Sequence, residues 1–120
     1  MQPEEGGMTV VARAVIIQND QLLLLHNTRY GGQGYWVLPG GHVDPGERIV
    51  QALLRELQEE LDWKNPPEPR FLGMFEQKYA RPEGHYVQEL CCIFRIPLRG
   101  PVQLESQESG LAVHWCPLAQ

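Results

Sequence analysis

Apolar and polar positions fall into short blocks along this chain, and one stretch alone keeps a helical period. Residues 11–17 form a β-branched run and residues 21–25 a second apolar run, with Asn19-Asp20 between them, so the pair reads as a β-hairpin. Arg29-Tyr30-Gly31-Gly32-Gln33-Gly34 reads as a loop by its glycines, leading into a short strand at 35–38 that ends at Pro39-Gly40-Gly41. Ile49, Leu53, Leu57 and Leu61 recur every four residues, with Val50 and Leu54 widening the stripe. Asp44 stands as an N-cap acceptor, Pro45 at the first helical position and Glu47 three residues after the cap, a capping-box start with Gly46 in its first turn. That helix stops near Leu61, because Asn65-Pro66-Pro67-Glu68-Pro69 cannot continue it. Strands follow at 71–79 and 86–96, joined by Arg81-Pro82-Glu83-Gly84, and a last one at 111–115. The order β-β-β-α-β-β-β predicts a mixed sheet packed on one helix.

Composition narrows the classes. A chain of 120 residues is one ordinary domain, spanning 1–120, large enough to bury about two-thirds of its unfolded surface. At 42% hydrophobic and 21% charged it is an ordinary globular sequence rather than a disordered or fibrous one. The longest apolar run, 90–94, is far too short for a membrane span. The acidic start Met1-Gln2-Pro3-Glu4-Glu5 lacks the apolar core of a secretory signal. Three cysteines, with Cys91 and Cys92 adjacent, argue against a disulfide framework and for a cytoplasmic setting. A net charge of −5 argues against binding a nucleic acid duplex.

The placement of that charge is more telling. Between Gly41 and Trp63 stand six acids and two bases, against nine acids and eight bases elsewhere. Glu56, Glu59 and Glu60 are i, i+3 and i+4 neighbours that flank the apolar stripe. Each like-charge pair opposes the helix by about 0.2–0.5 kcal/mol, and the C-terminal half of a helix disfavours negative charge. A solvated acidic face would interleave lysines, and this helix has none. Three carboxylates beside an overhanging Gly40-Gly41 loop suit a hard divalent cation. A solvated face with no metal remains the competing account.

From Gly41 the sequence reads G-HVDPG-E-RIVQALL-RELQEELDW. It resembles the Nudix box, G-x(5)-E-x(7)-R-E-U-x-E-E-x-G-U, with Gly41, Glu47, Arg55, Glu56, Leu57, Glu59 and Glu60 in register. On this basis the chain is identified as a member of the Nudix (MutT-like) hydrolase family. The resemblance implies an α/β/α sandwich with a mixed β-sheet, and Mg²⁺- or Mn²⁺-dependent hydrolysis of a pyrophosphate in a nucleoside diphosphate linked to another group. Carried over by position, Glu56, Glu59, Glu60 and the Gly40 carbonyl would hold the metal, and Arg55 would orient the glutamates and pair with Glu47. Glu56 is the first choice for general base, with Glu108 and Glu89 as alternatives, and Glu108 is also a candidate metal ligand. Asp62 replaces the family's second glycine, where a left-handed residue ends the helix. Members usually continue past Trp115-Cys116-Pro117-Leu118 into a second helix. Its absence here implies either a shortened form or another subunit covering that sheet face, which makes a homodimer an expectation.

Other residues carry weaker expectations. Arg13, a charge within an apolar strand, must face a cleft or a partner and is a candidate for substrate contact. Arg29 and the 31–34 loop could reach substrate phosphates, although a surface hairpin with an exposed arginine is the readier account. Tyr79 lies where dinucleoside-polyphosphate members tend to carry a tyrosine. Tyr35 and Trp36 could stack on a base, but a tryptophan on a strand is more often core. His26, His42, His85 and His114 lack partners at metal-ligand spacing. The rival of a different class is a catalytically silent Nudix-like module that senses a nucleotide or a partner, and such modules usually lack one of the box glutamates.

Overall fold

The computed structural model describes residues 7–80 and 83–119. Among these residues eight strands and one helix follow one another as β1 (Met8–Val15), β2 (Ile17–Gln18), β3 (Gln21–Asn27), β4 (Tyr35–Val37), β5 (Gly40–His42), α1 (Ile49–Leu61), β6 (Arg70–Ala80), β7 (Tyr86–Arg95) and β8 (Leu111–Pro117). The strands form two sheets rather than the single one expected. The first runs β5-β1-β7-β6 and is mixed, because β1 pairs β7 in parallel, with Val11 opposite Cys91, while its other pairings are antiparallel. The second is antiparallel: β3 pairs β8 along its whole length on one side, and β2 and then β4 on the other.

Two sheets arise because the first β-branched run does not stay in one of them. Met8–Val15 lies beside β7, Ile16 is fully buried, and Ile17–Gln18 turns into the hairpin with Gln21-Leu22. That hairpin is the expected one, closed by Asn19 and Asp20 at φ 54° and 57°, the left-handed pair a tight two-residue turn requires. A further unforeseen strand, β5, lies at the glycines expected to be only a turn. It pairs β1 antiparallel, with Gly41 opposite Ala12 and Gly40 opposite Arg13. A Cβ on Gly40 would collide with the Ala12 carbonyl oxygen, and Gly40 holds φ +135°, so glycine is what lets β5 approach so closely.

The helix begins later than its sequence suggests. Asp44-Pro45-Gly46-Glu47 is a closed turn, with the Glu47 N–H donating to the Asp44 carbonyl at 3.0 Å, and Arg48 is the cap, its N–H bonded to the Gln51 side chain at 2.9 Å. Gly46 at φ +87° is incompatible with a first helical turn, which is why the Asp44 cap fails. The end lies where expected, with Asp62 left-handed at φ 53° and its N–H bonded to the Gln58 carbonyl at 2.9 Å. The stripe of α1 packs Leu53, Leu57 and Leu61 into a core shared with Ala12, Ala14, Leu23, Leu25, Cys92 and Phe94. Ala12 and Ala14 are the small residues of β1 in that core. The 81–84 connection lies partly outside the described residues. Among the described residues no helix is long and apolar enough to cross a membrane.

Candidate active site

The glycine strand β5, the turn after it and the C-terminal half of α1 build one acidic cleft. Gly40, Gly41, Asp44, Glu56, Glu59, Glu60 and Glu108 line about 340 Å³ together with Arg13, Arg29 and Tyr35. Glu60, the most buried of the acids at 6% exposure, accepts the Gly40 N–H on Oε1 at 2.9 Å. Burial, followed by the neighbouring Glu56 charge, raises its carboxyl to about 7 against that hydrogen bond. Glu56 lies against Gly41, where a Cβ would come within 2.6 Å of its carboxyl carbon. Burial raises its pKa too, opposed by Arg55. Glu59 is half-exposed at the rim.

Arg55 organises the exposed side of this cluster. Its Nε and Nη2 bind the two oxygens of Glu47 at 2.7 and 2.9 Å, a bidentate fork. Nη2 also donates to the His42 carbonyl at 3.0 Å, and Nη1 reaches Glu56 at 3.0 Å and Glu59 at 3.4 Å. The guanidinium and the Asp44 N–H hold the Glu47 carboxyl at about 2. The turn at Asp44–Glu47, whose failed cap delays the helix, is what aims Glu47 at Arg55.

Other expected residues fall in two places. Arg13 points into the cleft region but spends Nη1 on the carbonyls of Leu38 and Gly40, at 3.1 and 3.0 Å. The Gly40 oxygen keeps a second lone pair. Arg29 and Glu108 bind each other, Nη1 to Oε2 at 2.8 Å, at the mouth of the acidic cleft. Tyr79 lies elsewhere, on β6, where with Phe75 and Gln77 it walls a second cleft of about 770 Å³. That larger cleft adjoins the acidic one through Arg13, Tyr30, Tyr35, Val37 and His42. Glu89 lies in it, 3.3 Å from His42 Nε2, rather than among the other acids.

Trp36 corrects its sequence reading. It is 51% exposed rather than core, stacked on His26 with ring centroids 4.5 Å apart and edge-on to His114. Among the described residues β4 is the three-residue last strand of its sheet, and about half of its Trp36 ring is left open to solvent. Sequence reasoning missed Asn27, buried at 4%, whose amide donates to the Tyr35 hydroxyl at 3.0 Å and whose Oδ1 accepts the Arg29 N–H at 3.0 Å. Its signal was a lone amide at the end of the apolar run 21–25.

The donor set fits a hard divalent cation. Five carboxylates and a backbone carbonyl share one cleft, and two of those carboxylates are held at a raised pKa by burial and by the neighbouring acids. As they stand, among the described residues no three of these acids converge on one point, since Arg55 draws Glu56 and Glu59 toward itself.

The NUDIX domain family profile matches residues 8–120, and the chain belongs to that family. Among curated relatives, human 8-oxo-dGDP phosphatase NUDT18 is 39% identical over 59 residues, covering 49% of this chain and 18% of its own length. Human diphosphoinositol polyphosphate phosphohydrolase NUDT4B is 40% identical over 73 residues, 61% of this chain and 39% of its own. The chain thus matches well under half the length of either. The crystal structure of a MutT NUDIX hydrolase from Burkholderia pseudomallei superposes with a TM-score of 0.74 at 23% identity, covering 91% of this chain and 82% of the other. It supports the same mixed-sheet fold.

Proposed function

We propose that this chain is a Nudix hydrolase that cleaves a pyrophosphate bond in a nucleoside diphosphate linked to another group. The observation that carries the reading is the single cleft in which Glu56, Glu59, Glu60 and Glu108 meet the Gly40-Gly41 strand. Glu56, Glu59, Glu60 and the Gly40 carbonyl would hold Mg²⁺ or Mn²⁺, with Glu108 able to join them. Such a cation neutralises phosphate oxygens and acidifies water.

The protein groups supply the rest. Glu56, partly buried and raised above an ordinary carboxylate, is suited to take the proton of the attacking water, a contribution of roughly 10²–10⁴-fold. As the water oxygen bonds to phosphorus, the bridging oxygen leaves with its phosphate. Arg55 acts as a positioning residue, fixing Glu56 and Glu59 while Glu47 fixes Arg55. Arg29, at the cleft mouth, is placed to exchange Glu108 for a substrate phosphate.

The larger cleft favours a nucleotide over a polyphosphorylated ring. Its walls include Tyr35, Trp36, Phe75 and Tyr79, and among the described residues the one arginine lining it, Arg13, already holds two carbonyls. Aromatic walls stack on a base, whereas several phosphates would call for several free cations. The cysteines are free thiols, which fits a cytoplasmic setting.

The test is a product assay with Mg²⁺ across nucleoside triphosphates, including oxidised ones, ADP-ribose, dinucleoside polyphosphates and a diphosphoinositol phosphate. We expect turnover of one nucleotide class and a loss of at least about 10²-fold in Glu56→Gln. Turnover retained by Glu56→Gln would move the base to Glu108 or Glu89. Silence across the panel, with Mg²⁺ still raising the melting temperature, would favour the sensing module.

A further inference from the structure

Among the described residues β6 is the last strand of its sheet, hydrogen-bonded to β7 on one side. It is eleven residues long and exposes large apolar side chains on both faces, with Met74 at 61%, Phe75 at 52% and Tyr79 at 42%. Long apolar edges are ordinarily blunted, because their unpaired backbone groups accept another strand. A bulge between Phe71 and Gly73 interrupts the N-terminal part and leaves 74–80 as a regular edge.

We propose that a second copy of this chain pairs with that edge, antiparallel about a two-fold axis at Gln77. An axis perpendicular to the sheet keeps each face on its own side, so the centre must fall on a residue. Centred on Glu76 or Lys78, that charge would face its own copy. Centred on Gln77, Glu76 lies opposite Lys78 of the partner subunit, and the two-fold repeats the ion pair. Both charges are already held over one face, Glu76 by the Gln88 amide and Lys78 with its Nζ 4.9 Å from the Tyr86 ring centre. In the same register Phe75 lies opposite Tyr79 of the partner subunit, on the face bearing the larger cleft. The aromatic wall of that cleft then continues across the axis, within a sheet of eight strands.

The inference is independent of the reaction and is tested on the whole chain by sedimentation equilibrium over a concentration series. Wild type is expected to dimerise. Glu76→Lys and Lys78→Glu should each weaken the dimer by roughly tenfold or more, since each turns two attractive pairs into repulsive ones, and the double exchange should restore it. Melting curves verify that each variant folds. Should one fail, weakening of the wild-type dimer by salt supplies the second measurement. A monomer at every concentration overturns the proposal. So does a dimer indifferent to the single exchanges, or a double variant that fails to recover.

Discussion

Glu60 and Gly40 are joined by a 2.9 Å hydrogen bond between the Oε1 of a buried carboxylate and a backbone N–H of the glycine strand. The bond favours the ionised carboxylate, yet burial outweighs it and leaves the group at about 7. The folded state therefore binds this proton more tightly than the unfolded chain does. In chelator, the contribution of this one group to stability should be fully present below about pH 4.5 and be lost as pH rises to about 7, by up to about 3 kcal/mol. Denaturant titrations should show this slope in wild type and its flattening in Glu60→Gln, with the variant the more stable of the two at pH 8. A slope unchanged by the substitution would remove Glu60 as its source.

Gly41→Ala should damage the site more than the fold. The new Cβ would lie within 2.6 Å of the Glu56 carboxyl carbon, the end of a flexible side chain, which must swing away. We expect turnover to fall by about 10–100-fold, as when a group orienting a metal ligand is lost, with a melting point close to wild type. Gly40→Ala should instead lower stability, because its Cβ meets fixed backbone at Ala12.

Arg55→Lys keeps the charge and loses the fork to Glu47. The expected result is a kcat lowered by about 10–100-fold with KM little changed, since Arg55 holds glutamates rather than substrate. An effect confined to KM would make Arg55 a substrate ligand.

For Arg29 and Glu108, both about one-third exposed, the ion pair itself should be weak. A double-mutant cycle with Arg29→Ala and Glu108→Ala should give a coupling to stability below about 1 kcal/mol. Arg29→Ala should nonetheless raise KM several-fold, and a KM equal to wild type would exclude contact with phosphate.

The helix and its glutamates were legible because their signals are local. Ile49, Leu53, Leu57 and Leu61 fix a period, and three carboxylates at i, i+3 and i+4 oppose that helix without compensating lysines. Its start was misread because Asp44-Pro45-Gly46-Glu47 satisfies a capping pattern while Gly46 adopts a φ no helix allows. The two-sheet arrangement was illegible, since nothing in the run at 11–17 shows that Ile16 is a joint between partners as remote as β7 and β3. The engagement of Arg13 by the Leu38 and Gly40 carbonyls depends likewise on the β1–β5 pairing, which glycines do not announce.

The parallel pairing of β1 with β7 also has a bearing on how the protein is made. A ribosome releases β1 to β5 and then α1 first, and the helix has its seat on β1 and β5 as soon as residue 61 is out. The other edge of β1 must wait for β7, and β3 must wait for β8, several seconds at about 5–20 residues per second. During that interval the nascent chain carries an open strand rich in valine and alanine. Folding is then timed by translation, and slowing elongation after α1 should lengthen the period in which chaperones or neighbouring chains can capture that edge.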